Sequence, residues 1–182
     1  VFSLFQPHTE WIVKGKAGVP MELGIRLGIV EDQYQFILHH QVMEKQTDDQ
    51  VAVPLIEQTQ QRFADLKTCS FDKGFHSPDN QIELAKRLKV VALPSKGRPS
   101  KKVREREQSA AFQQARRKHA AVESAINALQ VHGLDCCPDH GLEGFKRYVA
   151  LAILARNLQR LGEVLIHRQR KRQARLERQR AA

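Results

Sequence analysis

Two acids in this sequence stand where chemistry could use them. Asp72 closes the short run Lys67 to Phe71 (KTCSF) and is followed by Lys73 and Gly74. A carboxylate at the carboxyl end of a strand points into the crevice where open α/β sheets collect ligands. Gly74 would let the backbone turn beside it. The same position also suits a turn residue or the cap of a short helix. Glu123 lies between Ala120-Ala121-Val122 and Ser124-Ala125-Ile126. A charge on so small and apolar a stretch is costly unless it is paired or bound to a cation. Arg116, seven residues back on the same helical face, and His119 are the other partners open to it. Two carboxylates from separate elements can hold divalent ions. Phosphoryl transfer on nucleic acid commonly uses two such ions, about 3.5–4 Å apart, and a third acid from the same sheet to hold them.

The basic residues point the same way. Lys+Arg number 30 against 20 Asp+Glu, a net charge of +10, and the pI is near 9.9. That balance suits a polyanionic partner, nucleic acid before an anionic membrane surface. Lys96, Arg98, Lys101, Lys102, Arg104 and Arg106 fall in a Pro-, Gly- and Ser-containing stretch, Pro94 to Arg106, read as a linker. Arg116, Arg117 and Lys118 precede Glu123. A tail from His167 to Arg180 adds Arg168, Arg170, Lys171, Arg172, Arg175, Arg178 and Arg180. Such residues would grip the phosphate backbone with salt-sensitive, sequence-independent affinity. Aromatics are absent from all three regions, so base stacking is not the expected mode. Each region also has a plainer reading: a solvated loop, partners for Glu123, and a disordered cationic end.

The elements that must position these groups follow from hydrophobic period. Met21 to Val30 alternates as a half-buried strand, Glu31-Asp32-Gln33 is a polar break, and Tyr34 to Val42 reads as the second strand of a hairpin. A short strand is expected around Trp11 to Lys14. Thr47 to Asp49 caps a helix running to about Asp65. Lys67 to Phe71 is a strand. Ser77-Pro78 opens a helix to about Leu88, and Val90 to Leu93 is a buried strand. Helix follows from about Glu107 to Val131, stopped by Gly133. A second helix spans Leu142 to Leu165, with Phe145, Val149, Ala152, Ile153, Leu158, Leu161 and Leu165 on its apolar side. The order predicts an α/β fold, a mixed sheet flanked by helices. Domain organisation is a core over residues 1–166 and a basic tail, helical or disordered, over 167–182.

Other chemistries lack support. No 18-residue apolar run predicts a membrane span, and no signal-peptide pattern is present. Three cysteines are too few for a disulfide scaffold and fit a reducing compartment. There is no P-loop and no G-x-S-x-G. Cys136 and Cys137, with His132 and His140, lack zinc-site spacing. His39 and His40, adjacent on a strand, are expected on opposite faces.

The segment Ser70-Phe71-Asp72-Lys73-Gly74-Phe75-His76-Ser77 resembles the second-aspartate motif of DDE transposases of bacterial insertion sequences. Arg116 to Ser124 (RRKHAAVES) resembles their glutamate motif, and Ala150 to Leu161 (ALAILARNLQRL) the helix after it. Ser3 to Gly24 looks like the segment that follows the first aspartate in one subgroup. The resemblance covers about residues 1 to 166. It implies an RNase H-like fold, with Asp72 and Glu123 as catalytic acids and ligands of Mg²⁺ or Mn²⁺. The implied reaction is phosphodiester hydrolysis at the element ends, then strand transfer by the freed 3′-OH. The implied partners are element-end and target DNA, with a possible homo-oligomer. The implied setting is the bacterial cytoplasm and nucleoid, with no membrane. The DNA-binding set would be Lys96, Arg98, Lys101, Lys102, Arg104, Arg116, Arg117 and Lys118. One departure matters: no Asp precedes the hairpin, the first being Asp32 in its turn. Asp48 and Asp49 read as helix caps. The first acid is therefore expected outside these 182 residues, and the chain alone is expected to be inactive. Two further readings are a non-catalytic DNA-binding remnant and a basic RNA-binding protein on the same scaffold.

Overall fold

The computed structural model describes residues 6–13, 21–134 and 136–180, except the side chains of residues 13, 21–22, 120–125, 132 and 180. The fold is mixed α/β. Strand β1 (Glu10–Val13) pairs antiparallel with β2 (Met21–Gly24). Strand β3 (Arg26–Glu31) pairs antiparallel with β4 (Ile37–Met43), with a bulge at Val30/Glu31. The expected strand Met21 to Val30 is thus two strands. The run changes partner at Ile25, its first part meeting β1 and its second β4. Lys14, in the first expected strand, lies outside the described residues. Asp32 makes the hairpin turn: its Oδ1 accepts from the N–H groups of Tyr34 (2.8 Å) and Phe36 (2.9 Å).

Helix α1 (Asp48–Arg62) starts after Thr47, whose N–H donates to Gln50 Oε1 at 3.0 Å. It ends three residues before the expected Asp65. Strand β5 (Thr68–Ser70) lies parallel to β6 (Val90–Ala92). Between them run a 3₁₀ turn (Lys73–Phe75) and α2 (Pro78–Arg87). The Ser77 hydroxyl accepts from the Asn80 N–H at 3.1 Å and Pro78 fills the first helical position, as the sequence predicts.

The stretch Pro94 to Arg106 is not linker throughout. Lys101–Gln108 forms helix α3, opened by Ser100, whose hydroxyl accepts from Val103 N–H at 3.4 Å. Pro and Gly fall only before this cap, so nothing past it opposes helix. Ser109 then ends α3 and caps α4 (Ala110–Leu129), which is why the expected helix from Glu107 is divided. A π-helical turn (Gln130–Leu134) follows, with Gly133 at φ +100°. Helix α5 runs unbroken from Gly141 to Arg180 and takes in the basic tail.

Packing makes three layers. On one face, Val51 and Leu55 of α1 meet Val30 and Met43. Ala52 and Ile56 of the same helix meet Phe71, Leu84, Leu88 and Leu93. On the other face, Phe112 and Ala115 of α4 cover Ala92, while Leu129, Val149 and Ile153 cover Ile37 with Leu27, Ile29 and Val42. Leu27 and Ile29 alternate with Gly28 and Val30, as opposite faces of a strand require. The β3–β4 and β5–β6 ladders both pack against helix α1 but are not hydrogen-bonded to each other. The expected single mixed sheet is therefore divided. Among the described residues, β3 and β5 each keep one unpaired edge.

Helix α5 also departs from its expected facing. Val149 and Ile153 are buried, but Leu158, Leu161 and Leu165 are exposed. Asn157 takes the inward place. Its carboxamide accepts from the Ile37 N–H and donates to the Ile37 carbonyl, both at 2.9 Å.

Candidate active site

Strand β5 delivers Asp72. Phe71, buried, extends the ladder by donating its N–H to Ala92 O at 3.0 Å. The chain then leaves the sheet, and Asp72 sits at the N-cap of the 3₁₀ turn, so one residue fills both the strand-end and the cap reading. Its side chain is 74% exposed and makes no capping hydrogen bond, so the carboxylate is open to a ligand. A Cβ at Gly74 would lie 2.3 Å from Asp48 Oδ2, so a larger residue there would displace the Asp48 side chain. Asp48 opens α1, so this glycine seats the motif loop against that helix.

Helix α4 crosses the end of this strand. The Arg116 Nη1 donates to the Phe71 carbonyl at 3.0 Å. One turn on, His119 Nε2 lies 3.7 Å from Asp72 Oδ1, with the imidazole largely buried. Glu123 is one turn further along α4, about 6 Å of helix rise beyond His119; its side chain lies outside the described residues. The helix continues to Ile126 and Leu129. With Ile25, Leu27, Ile29 and Phe145 these line a cavity of about 210 Å³. Helix α4 therefore passes from β6, over the end of β5, to β3, and the backbone of residues 120–125 spans the interval between the two ladders.

The basic residues divide by role. The Lys96 ammonium donates to Gly74 O at 2.8 Å and its N–H to His76 Nδ1 at 3.4 Å, tying the segment after β6 to the Asp72 loop. Burial, with Arg106 and Lys96 nearby, holds the His76 imidazole below its ordinary pKa, as suits an acceptor. Arg106 is structural. It donates to Leu93 O and Ser95 Oγ, pairs with Glu107 at 3.3 Å and lies over the Phe112 ring. Arg98, Lys101, Lys102, Arg104, Arg117 and Lys118 are exposed, and none forms a salt bridge among the described residues. The contacts of Arg116 and His119 escape a reading by charge pairing. Spacing marks the common face, with residues 116, 119 and 123 recurring along one side of the helix, but not the strand end that this face meets.

The chain matches no family model, no curated protein and no solved structure. Its chemistry rests on its own geometry. Among the described residues no group of three or more His, Cys, Asp or Glu is gathered as a metal site. A groove of about 480 Å³ between Trp11, Arg26 and Lys45–Thr47 contains neither acid. No helix of the described residues is long and apolar enough to cross a membrane.

Proposed function

We propose that this chain is the C-terminal catalytic portion of a DDE-type DNA transposase, built on an RNase H-like core. The observation that carries the reading is the meeting of the Asp72 strand end with the Arg116–His119–Glu123 face of α4. Two acids far apart in sequence are thereby borne by neighbouring elements, beside an exposed basic surface.

Asp72 and Glu123 offer hard carboxylate oxygens, the donor type that suits Mg²⁺ or Mn²⁺, and the open Asp72 carboxylate fits such a role. The ions would supply activation of the attacking oxygen and stabilisation of the leaving one. Arg116 fixes the end of β5, and His119 restrains the Asp72 carboxylate. Arg98, Lys101, Lys102, Arg104, Arg117 and Lys118 hold the DNA backbone.

A third acid is needed, and the division of the sheet supports a place for it. A strand from outside these residues would pair with the free edges of β3 and β5, beneath the residue 120–125 span of α4. The chain alone is then inactive.

The test is Mn²⁺ titration of the whole chain followed by paramagnetic broadening of amide signals. Broadening centred on residues 72 and 123, lost in Asp72→Ala, is expected, together with salt-sensitive binding of duplex DNA and no cleavage. DNA binding that survives Asp72→Ala and Glu123→Ala without any Mn²⁺ effect would mark a non-catalytic remnant. Preference for RNA in competition would replace the reading altogether. Mg²⁺-dependent cleavage by the chain alone, lost in Asp72→Ala, would overturn its incompleteness.

A further inference from the structure

The outer face of α5 carries a second pattern. Leu151, Leu154, Leu158, Leu161 and Leu165 are spaced three, four, three and four residues apart and are 63%, 54%, 59%, 44% and 53% exposed. That is the a/d repeat of a coiled coil over two heptads. The core-facing residues Val149, Ile153 and Asn157 lie on another side of the helix, so this seam is left over after the domain has packed. Ala155 and Gly162 flank it at equivalent heptad positions. Gly162 has open space around it, so a second helix can come close.

We infer that α5 pairs antiparallel with α5 of a second copy of this chain, with Leu158 at the centre of the seam. The five leucines leave on the order of 500 Å² of apolar surface in water, the upper end for a monomer. Two such faces bury roughly 1,000 Å², the threshold of a specific interface. Charge selects both the extent and the direction. Arg168, Arg172 and Arg175 continue the same heptad positions past Leu165 and end the apolar seam. In a parallel pair these cations would meet their own copies in register. In an antiparallel pair the tails point away from each other. Each then runs along the start of the partner helix, where the acids Glu44, Asp139 and Glu143 outnumber the cations Lys146 and Arg147 with which they pair.

Sedimentation equilibrium of the whole chain tests this. A mass of twice 20.8 kDa is expected at micromolar to tens of micromolar concentration. Leu154→Lys/Leu161→Lys is expected to halve the mass and leave the far-ultraviolet dichroism of the domain intact. Gln159→Lys, exposed but off the seam, should leave the dimer in place. A monomeric unaltered chain, or a dimer that survives the double substitution, overturns the pairing. Direction is read by disulfide trapping with Cys136 and Cys137 replaced by Ser. Leu151→Cys is expected to link to Leu165→Cys in a mixture faster than either links to itself. Faster self-linking overturns the antiparallel arrangement.

Discussion

At the residue scale, Glu31 is the group that sets a pH dependence. Both of its carboxylate oxygens are buried with no hydrogen-bond partner among the described residues. Burial pushes its pKa up to about 7, Arg156 opposes this, Asp32 adds to it and Arg160 opposes it. The unfolded chain ionises this acid near 4.5, so between the two values the native state holds the extra proton. The contribution of Glu31 to stability therefore falls as pH rises from about 4.5 to about 7 and is flat outside that window. Glu31→Gln should remove the fall. At about pH 8 the variant should exceed the parent by on the order of 1 kcal/mol after solvent screening, read from urea midpoints at pH 5 and pH 8. Asp72 shows how far single residues are legible. Its strand-end place followed from the apolar run before it and the glycine after it. Its neighbour His119 did not, because sequence gives helix phase but not which strand end the helix crosses.

At the element scale, caps were legible and faces were not. Thr47, Ser77-Pro78 and Gly133 mark boundaries through local backbone chemistry, which needs no partner. Helix α3 was hidden because a basic run following Pro and Gly reads as a linker. Ser100 decides it by satisfying an orphan N–H. On α5 two apolar stripes coexist, and periodicity cannot tell which one the domain takes. The inward stripe includes a polar residue, Asn157, because its carboxamide satisfies both backbone groups of Ile37. Asn157→Ala leaves that N–H and carbonyl without partners and should cost about 2 kcal/mol. Asn157→Asp, which keeps the acceptor but sets a carboxylate oxygen against the Ile37 carbonyl, should cost more. Chemical denaturation of the two variants side by side checks the order.

At the scale of the molecule, charge and connectivity are unevenly spread. The exposed cations of the Arg98–Arg104 stretch sit just past a segment tied to the Asp72 loop through Lys96, so under the proposed function DNA held by one would meet the other. Lys101→Ala/Lys102→Ala/Arg104→Ala should lower the slope of log K against log salt by about 2–3 for duplex DNA, measured by fluorescence anisotropy across a salt series. A two-ladder layer was not legible because alternation marks strands without saying which edges pair. Connectivity brings a cost in time. The β3–β4 hairpin is covered by α5, and the Ile37–Asn157 contact spans 120 residues. At about 5–20 residues per second of synthesis, the hairpin waits roughly 6–24 s for its cover. Throughout that interval Leu27, Ile29 and Val42 face the ribosome surface and the solvent, and a chaperone that holds short apolar strands would find its substrate there.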